Sequence, residues 1–153
     1  MATKKRAACG EGDPRLKVSD IACLSDSTSL IATQARRRSY EAQVQRTVFQ
    51  HLRARAAPGV FAFHVPNGGY RKPIEAAIMK GLGVVAGVPD VIIIKHGMTF
   101  ALELKAEGGR TTAKQLATIA AMKAAGAITN IAESLDQALA WLESEGLLRG
   151  CVS

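Results

Sequence analysis

Aromatic side chains are scarce in this chain, with four Phe, two Tyr and one Trp among 153 residues. So few rings argue against a base-stacking platform as the main binding device. Cysteine is rare too, and Cys9, Cys23 and Cys151 are scattered. No Cys-x-x-Cys pair or Cys/His cluster exists. That supports neither a zinc site nor a disulfide framework, and fits a reducing cytoplasm. No apolar run approaches the roughly 20 residues of a membrane span. The basic start, Lys4-Lys5-Arg6, is not followed by the apolar core of a signal peptide. A cytoplasmic protein with no membrane partner is therefore expected. Acidic residues are the minority charge, 13 Asp/Glu against 20 Lys/Arg, and the net charge is +7. Such a surplus favours a polyanionic partner. Ten Lys/Arg face five Asp/Glu between Ser39 and Gln115, against two and four beyond. The competing reading of this charge is a merely solvated basic surface.

What is present is enough apolar material, 48% of residues, for one globular domain. Residues 1–38 show no lasting period and read as a flexible basic extension ending in Arg36-Arg37-Arg38. The domain is expected over 39–149. Ser39 can cap a first helix from Tyr40 to about Ala56, stopped by Pro58-Gly59, with Val44, Val48 and Leu52 facing inward. Glu41 and Gln45 fall on or beside that stripe. Val60 to Val65 reads as a strand, and Pro73 opens a short helix. Thr111 or Thr112 caps a helix to Ala125, with Leu116, Ile119 and Met122 inward. Ala127 to Ala132 is a strand, and Ser134-x-x-Gln137 is a capping box for the last helix. The expected fold class is α/β: a sandwich with a mixed four-stranded sheet flanked by helices.

The centre of the chain is Gly87-Val88-Pro89-Asp90, then Val91 to Ile94, Lys95-His96-Gly97-Met98, and Thr99 to Lys105. Two β-rich runs around His96-Gly97 predict a hairpin with a two-residue turn. Lys95 then faces Met98, and Asp90 lies opposite Glu103. Opposed carboxylates repel on a sheet face unless something positive sits between them. A divalent cation suits, since Mg²⁺ accepts one or two carboxylates plus water and substrate phosphate. Lys105, two residues past Glu103, comes to the same face. The plain alternative is an Asp at a strand start and a Glu/Lys pair on a half-exposed strand. After Val65, Pro66-Asn67-Gly68-Gly69 exposes backbone N–H groups, with Arg71 and Lys72 close behind, a composition suited to gripping phosphate. Turn chemistry alone also accounts for the glycines, and His64 has a plain structural reading.

Pro89-Asp90 with Glu103-Leu104-Lys105 resembles the PD-(D/E)xK motif of metal-dependent nucleases. The wider stretch, Ser39 to Glu145, is similar to the virus-type replication-repair nuclease (VRR-NUC) domain in its small stand-alone form. Glu41, Gln45, the His64-to-Arg71 segment, Gly83, Gly87 and Gln115 carry that likeness in order. The resemblance implies a Mg²⁺-dependent DNA endonuclease, with Mn²⁺ able to substitute. Such an enzyme would be structure-selective like a Holliday-junction resolvase, act in repair, recombination or phage replication, and work as a homodimer in a bacterial or phage-infected cytoplasm. It implies Asp90, Glu103 and the Leu104 carbonyl as metal ligands, and Lys105 as the group that positions water. Glu41 would help hold a water of the cation's shell or a second cation, although a first-turn acid favoured by the helix dipole is its plain reading. Gln115 completes the pocket, while His64, Asn67, Gly68, Arg71 and Lys72 meet phosphate. The alternative function is a noncatalytic nucleic-acid-binding module on the same fold.

Overall fold

In the computed structural model, residues 18–66 and 72–150 are described, 18–28 as backbone alone. Contacts divide the chain into two units, Met1–Arg36 and Arg37–Ser153. The elements follow the expected order: α1 (Val18–Arg55), β1 (Val60–His64), α2 (Pro73–Gly81), β2 (Val91–Lys95), β3 (Met98–Leu104), α3 (Ala113–Ala124), β4 (Ile128–Ala132) and α4 (Leu135–Ser144).

The first helix corrects the expectation of a start at Tyr40. It is already formed at Val18, and Ser39 lies inside it. From Val18 to Arg55 there is neither Pro nor Gly, the two residues that most oppose helix. The Ser/Thr content does not break it, because such hydroxyls can turn back to the preceding turn's carbonyl. Thr33 Oγ1 donates to the Ser29 carbonyl at 2.9 Å, and Thr47 Oγ1 to that of Gln43 at 3.1 Å. Residues 1–17, the remainder of the expected extension, lie outside the described residues.

The sheet order is β1-β2-β3-β4, with β3 and β4 parallel and the other pairs antiparallel. The β2–β3 register pairs Lys95 with Met98 and Val91 with Leu102, as the two-residue turn required. His96 (φ 48°) and Gly97 (φ 78°) both take the left-handed backbone that such a turn needs. One sheet face, with Val91, Ile93, Phe100, Leu102 and Leu104, is buried against Val44, Val48 and Leu52 of α1 and Ala138 and Leu142 of α4. Trp141 meets Phe100 edge-on, ring centres 6.4 Å apart. The end of the chain ties down the end of α1, where the Ala57 amide donates to the Leu147 carbonyl and the Arg149 amide to that of Arg55.

On α3 the expected inward stripe is only partly right. Ile119 is buried and Met122 half-buried, but Leu116 is 51% exposed. Gln115 takes the inward position instead. Residues 115, 119 and 122 recur at helical spacing, while Leu116 is turned about 100° away.

Candidate active site

Asp90 stands at the mouth of the hairpin, immediately before β2, on the buried Pro89. Its carbonyl accepts the Val65 amide at 3.0 Å and faces His64 Nδ1 at 2.8 Å, so β1 fixes its backbone. With a carbonyl opposite, Nδ1 carries the proton and donates it. The Asp90 carboxylate reaches across the hairpin, where Oδ2 accepts the Leu104 amide at 3.0 Å.

Glu103 lies across from it and is 1% exposed. Its Oε1 accepts from Lys105 Nζ at 2.7 Å and from the Gln115 side-chain amide. Its Oε2 has no hydrogen-bond partner; the only other such buried side-chain atom among the described residues is Thr129 Oγ1. The Lys105 side chain is itself only 12% exposed. A solvated Glu/Lys surface pair is therefore not what the hairpin carries.

Helix α3 delivers Gln115 through its cap. The Gln115 amide donates to Thr112 Oγ1 at 3.3 Å, and Gln115 Oε1 accepts the Thr112 amide at 2.9 Å. This reciprocal box holds the Gln115 side chain with its NH₂ toward Glu103. From α1, Glu41 Oε1 accepts the Ala106 amide at 3.0 Å, which brings a third carboxylate to the end of β3. Glu41, Asp90, Glu103, Leu104, Lys105 and Gln115 line one cleft of about 290 Å³.

Burial, the largest cause, pushes both central carboxyls above their ordinary pKa values of 3.8 for Asp90 and 4.5 for Glu103. The Leu104 amide and the Lys105 charge pull Asp90 back down, while Glu41 adds to the rise. For Glu103 the Lys105 hydrogen bond opposes the rise, and the Asp90 charge reinforces it. The pair is thus short of positive charge, and one buried carboxylate oxygen is unmatched. A divalent cation fits both deficits. The described residues hold no cluster of three His, Cys, Asp or Glu side chains in metal-binding arrangement. Backbone carbonyl and water would have to fill the remaining positions, a shell that Mg²⁺ accepts.

Neither a protein-family profile nor any curated protein sequence matches the chain. Solved structures do. One, a "VRR_NUC domain protein", superposes with a TM-score of 0.55 at 22% identity, covering 67% of this chain and 84% of that one. The chain has the VRR_NUC fold. A second solved structure, a "VRR_NUC domain", aligns with a TM-score of 0.49 at 21% identity, over 68% and 95% of the two chains.

On this VRR_NUC fold, the residues expected at the metal and around it share one cleft, and of those expected at phosphate the two described ones, His64 and Lys72, do not line it. His64 contacts the backbone of Asp90 but is exposed and lines a different groove. Lys72 is exposed at the start of α2, where its amide donates to Glu75 Oε2 at 3.3 Å. Asn67, Gly68 and Arg71 lie outside the described residues. Sequence reading missed Lys114, which lines the cleft from the first turn of α3 and belongs to no motif.

It also missed what Gly87 does, although that residue was part of the resemblance. Gly87 has φ +82°, and a Cβ there would lie 2.8 Å from the Lys114 carbonyl and 2.9 Å from the Gln115 nitrogen. The loop therefore presses backbone to backbone on the turn that presents Gln115, and Thr118 Oγ1 pins it by donating to the Ala86 carbonyl at 2.8 Å. Gly87→Ala is expected to cost about 1–3 kcal/mol of stability by overpacking and to draw Gln115 away from Glu103. Gly83→Ala is the control, since Gly83 has a similar φ of +87° and nothing within 4 Å. Equal melting temperatures for the two variants would remove the close approach as the cause.

Proposed function

We propose that this chain is a Mg²⁺-dependent DNA endonuclease, with Mn²⁺ able to replace Mg²⁺. Branched DNA of the kind formed in repair, recombination or phage replication is its substrate class. The observation that carries this reading is the buried Glu103, with an unmatched Oε2, opposite Asp90 on the hairpin. Hydrolysis forms a bond from water oxygen to phosphorus and breaks the bond to one sugar oxygen, which leaves with a proton. A bound divalent cation supplies charge at the phosphoryl oxygens and lowers the pKa of water.

The chain's own residues do the rest. Asp90 and Glu103 hold the cation, each already oriented by a hydrogen bond from the fold. The Leu104 amide points to Asp90, and in an extended strand the carbonyl of the same residue turns to the same side. That makes the Leu104 carbonyl the natural backbone ligand. Lys105 Nζ, held at Glu103, donates to the attacking water and to the charge that develops on phosphate. Glu41 and Gln115 keep the walls of the pocket in place, while His64, Lys72 and the 67–71 segment meet the DNA backbone.

Cutting two strands asks for two sites, and a twofold homodimer provides them. The apolar residues Ile74, Ile78 and Leu82 recur at helical spacing along α2 and its C-cap, all exposed, which supports an interface there. Sedimentation showing only monomer at cleavage concentrations would remove the dimer from this account. Cleavage of labelled junctions, flaps and plain duplexes with Mg²⁺, Mn²⁺, Ca²⁺ or EDTA tests the function. Mg²⁺-dependent scission that EDTA abolishes is expected. DNA binding without scission under every metal would make the chain a noncatalytic binding module instead.

A further inference from the structure

A second groove lies apart from the carboxylate cleft. It has a volume of about 730 Å³ and runs along α1, lined by Gln45, Arg46, Phe49, Gln50, Arg53 and His64 among others. Among the described residues, no acidic side chain lines it. Among the described residues, neither the Arg46 nor the Arg53 side chain makes a hydrogen bond or ion pair, and both residues are exposed. Arg55, only two residues on, is spent on structure, bound to Glu143, His51 and the Arg149 carbonyl. The helix thus separates a structural arginine from two free ones.

The free pair is seven residues apart, on one face and about 10.5 Å apart along the axis. Gln50 adds an amide donor between them, and Gln45 another beside Arg46. Arg38, seven residues before Gln45, falls on the same stripe by helical period and is also exposed. His64 lines the groove, and its Nδ1 holds the carbonyl of Asp90, whose residue lines the carboxylate cleft.

We propose that this α1 groove, through Arg46 and Arg53, grips two backbone phosphates of the strand that continues past the Asp90/Glu103 site. The assignment rests on the nuclease reading for the identity of the strand, but the groove has its own readout. With one phosphate neutralised by each, Arg46 and Arg53 each contribute about one unit to the slope of log affinity against log salt.

The test is binding of a fluorescent DNA duplex to the full chain, without added metal, at several salt concentrations. Arg46→Gln/Arg53→Gln should weaken binding about tenfold or more at low salt and reduce the slope by about 2. Arg46→Lys/Arg53→Lys should restore the slope, because the charges return. Lys80→Gln/Lys123→Gln removes the same charge elsewhere and should leave the slope within half a unit of the wild type. A slope unchanged in the groove variant, or lowered as much in the Lys80/Lys123 variant, overturns the proposal. So does poly-glutamate displacing DNA as well as an equal charge of competing DNA, which would give the groove to an acidic polypeptide. The two readings fail separately. If the wild type cleaves but the slope does not move, the groove assignment falls alone. If the slope moves in a protein that never cleaves, the nuclease reading falls and the groove stands.

Discussion

Asp90→Asn and Glu103→Gln should each reduce Mg²⁺-dependent cleavage by about a thousandfold, the upper range for removing one charge-handling group from a reaction centre. Both variants should stay folded, and without metal they should melt at or above the wild-type temperature near neutral pH. The reason is the opposition of two carboxylates in a place where burial already disfavours their charge. Both groups keep their protons to higher pH in the folded chain than in the unfolded one. The stability this contributes is fully present below the ordinary values of 3.8 and 4.5, and is lost as pH rises through the raised folded pKa values. The melting advantage of Glu103→Gln over metal-free wild type should therefore grow as pH rises through that window, and shrink in acid. Saturating Mg²⁺ should reverse the order at neutral pH, because only the wild type gains from ligand binding. Differential scanning fluorimetry across pH, with Mg²⁺ or EDTA, reads all of this. A wild type more stable than both variants in EDTA at neutral pH would contradict the charge argument, and wild-type cleavage by either would remove that residue from the site.

Lys105→Ala should lose turnover, by about 10²–10³-fold, far more than it loses DNA affinity. One lysine among many basic groups contributes at most about one unit to the salt slope. Its position is the specific thing: Nζ lies 2.7 Å from Glu103 Oε1 on a side chain only 12% exposed. Removing it also leaves Glu103 with Gln115 as its one remaining partner and without the hydrogen bond that opposes its raised pKa. The variant should therefore become less stable than wild type as pH rises, and Mg²⁺ should recover part of that loss. Single-turnover rates at saturating DNA and Mg²⁺, measured below the melting range, separate rate from binding. A large fall in affinity with unchanged turnover would reverse the role and make Lys105 a binding residue.

Much of the site could be read from the chain because a local feature set it. His96-Gly97 can form a two-residue turn, that turn fixes the pairing of Lys95 with Met98, and the strand period then places Asp90 across from Glu103. The Thr112 and Ser134 caps were legible for the same reason. What failed depended on context. Ser39 is a good cap residue, but nothing before it breaks the helix, so α1 runs back to Val18. Leu116 is apolar at a helical position, yet the inward place goes to Gln115, whose partner is twelve residues back in sequence and on another element. Gly87 reads as a turn glycine, and only the folded chain brings the α3 backbone against it. Lys114 and the arginines of the α1 groove carry no pattern that separates them from solvated charge until their surroundings are known.

The most direct test of the central claim is titration of metal-free protein with Mn²⁺, with free Mn²⁺ followed by electron paramagnetic resonance at neutral pH. Wild type should take up Mn²⁺ at the Asp90/Glu103 site in competition with Mg²⁺, and Asp90→Asn and Glu103→Gln should each lose that uptake while their circular dichroism spectra match wild type. Equal Mn²⁺ uptake by wild type and both folded variants, or none by wild type at millimolar Mn²⁺, would contradict it.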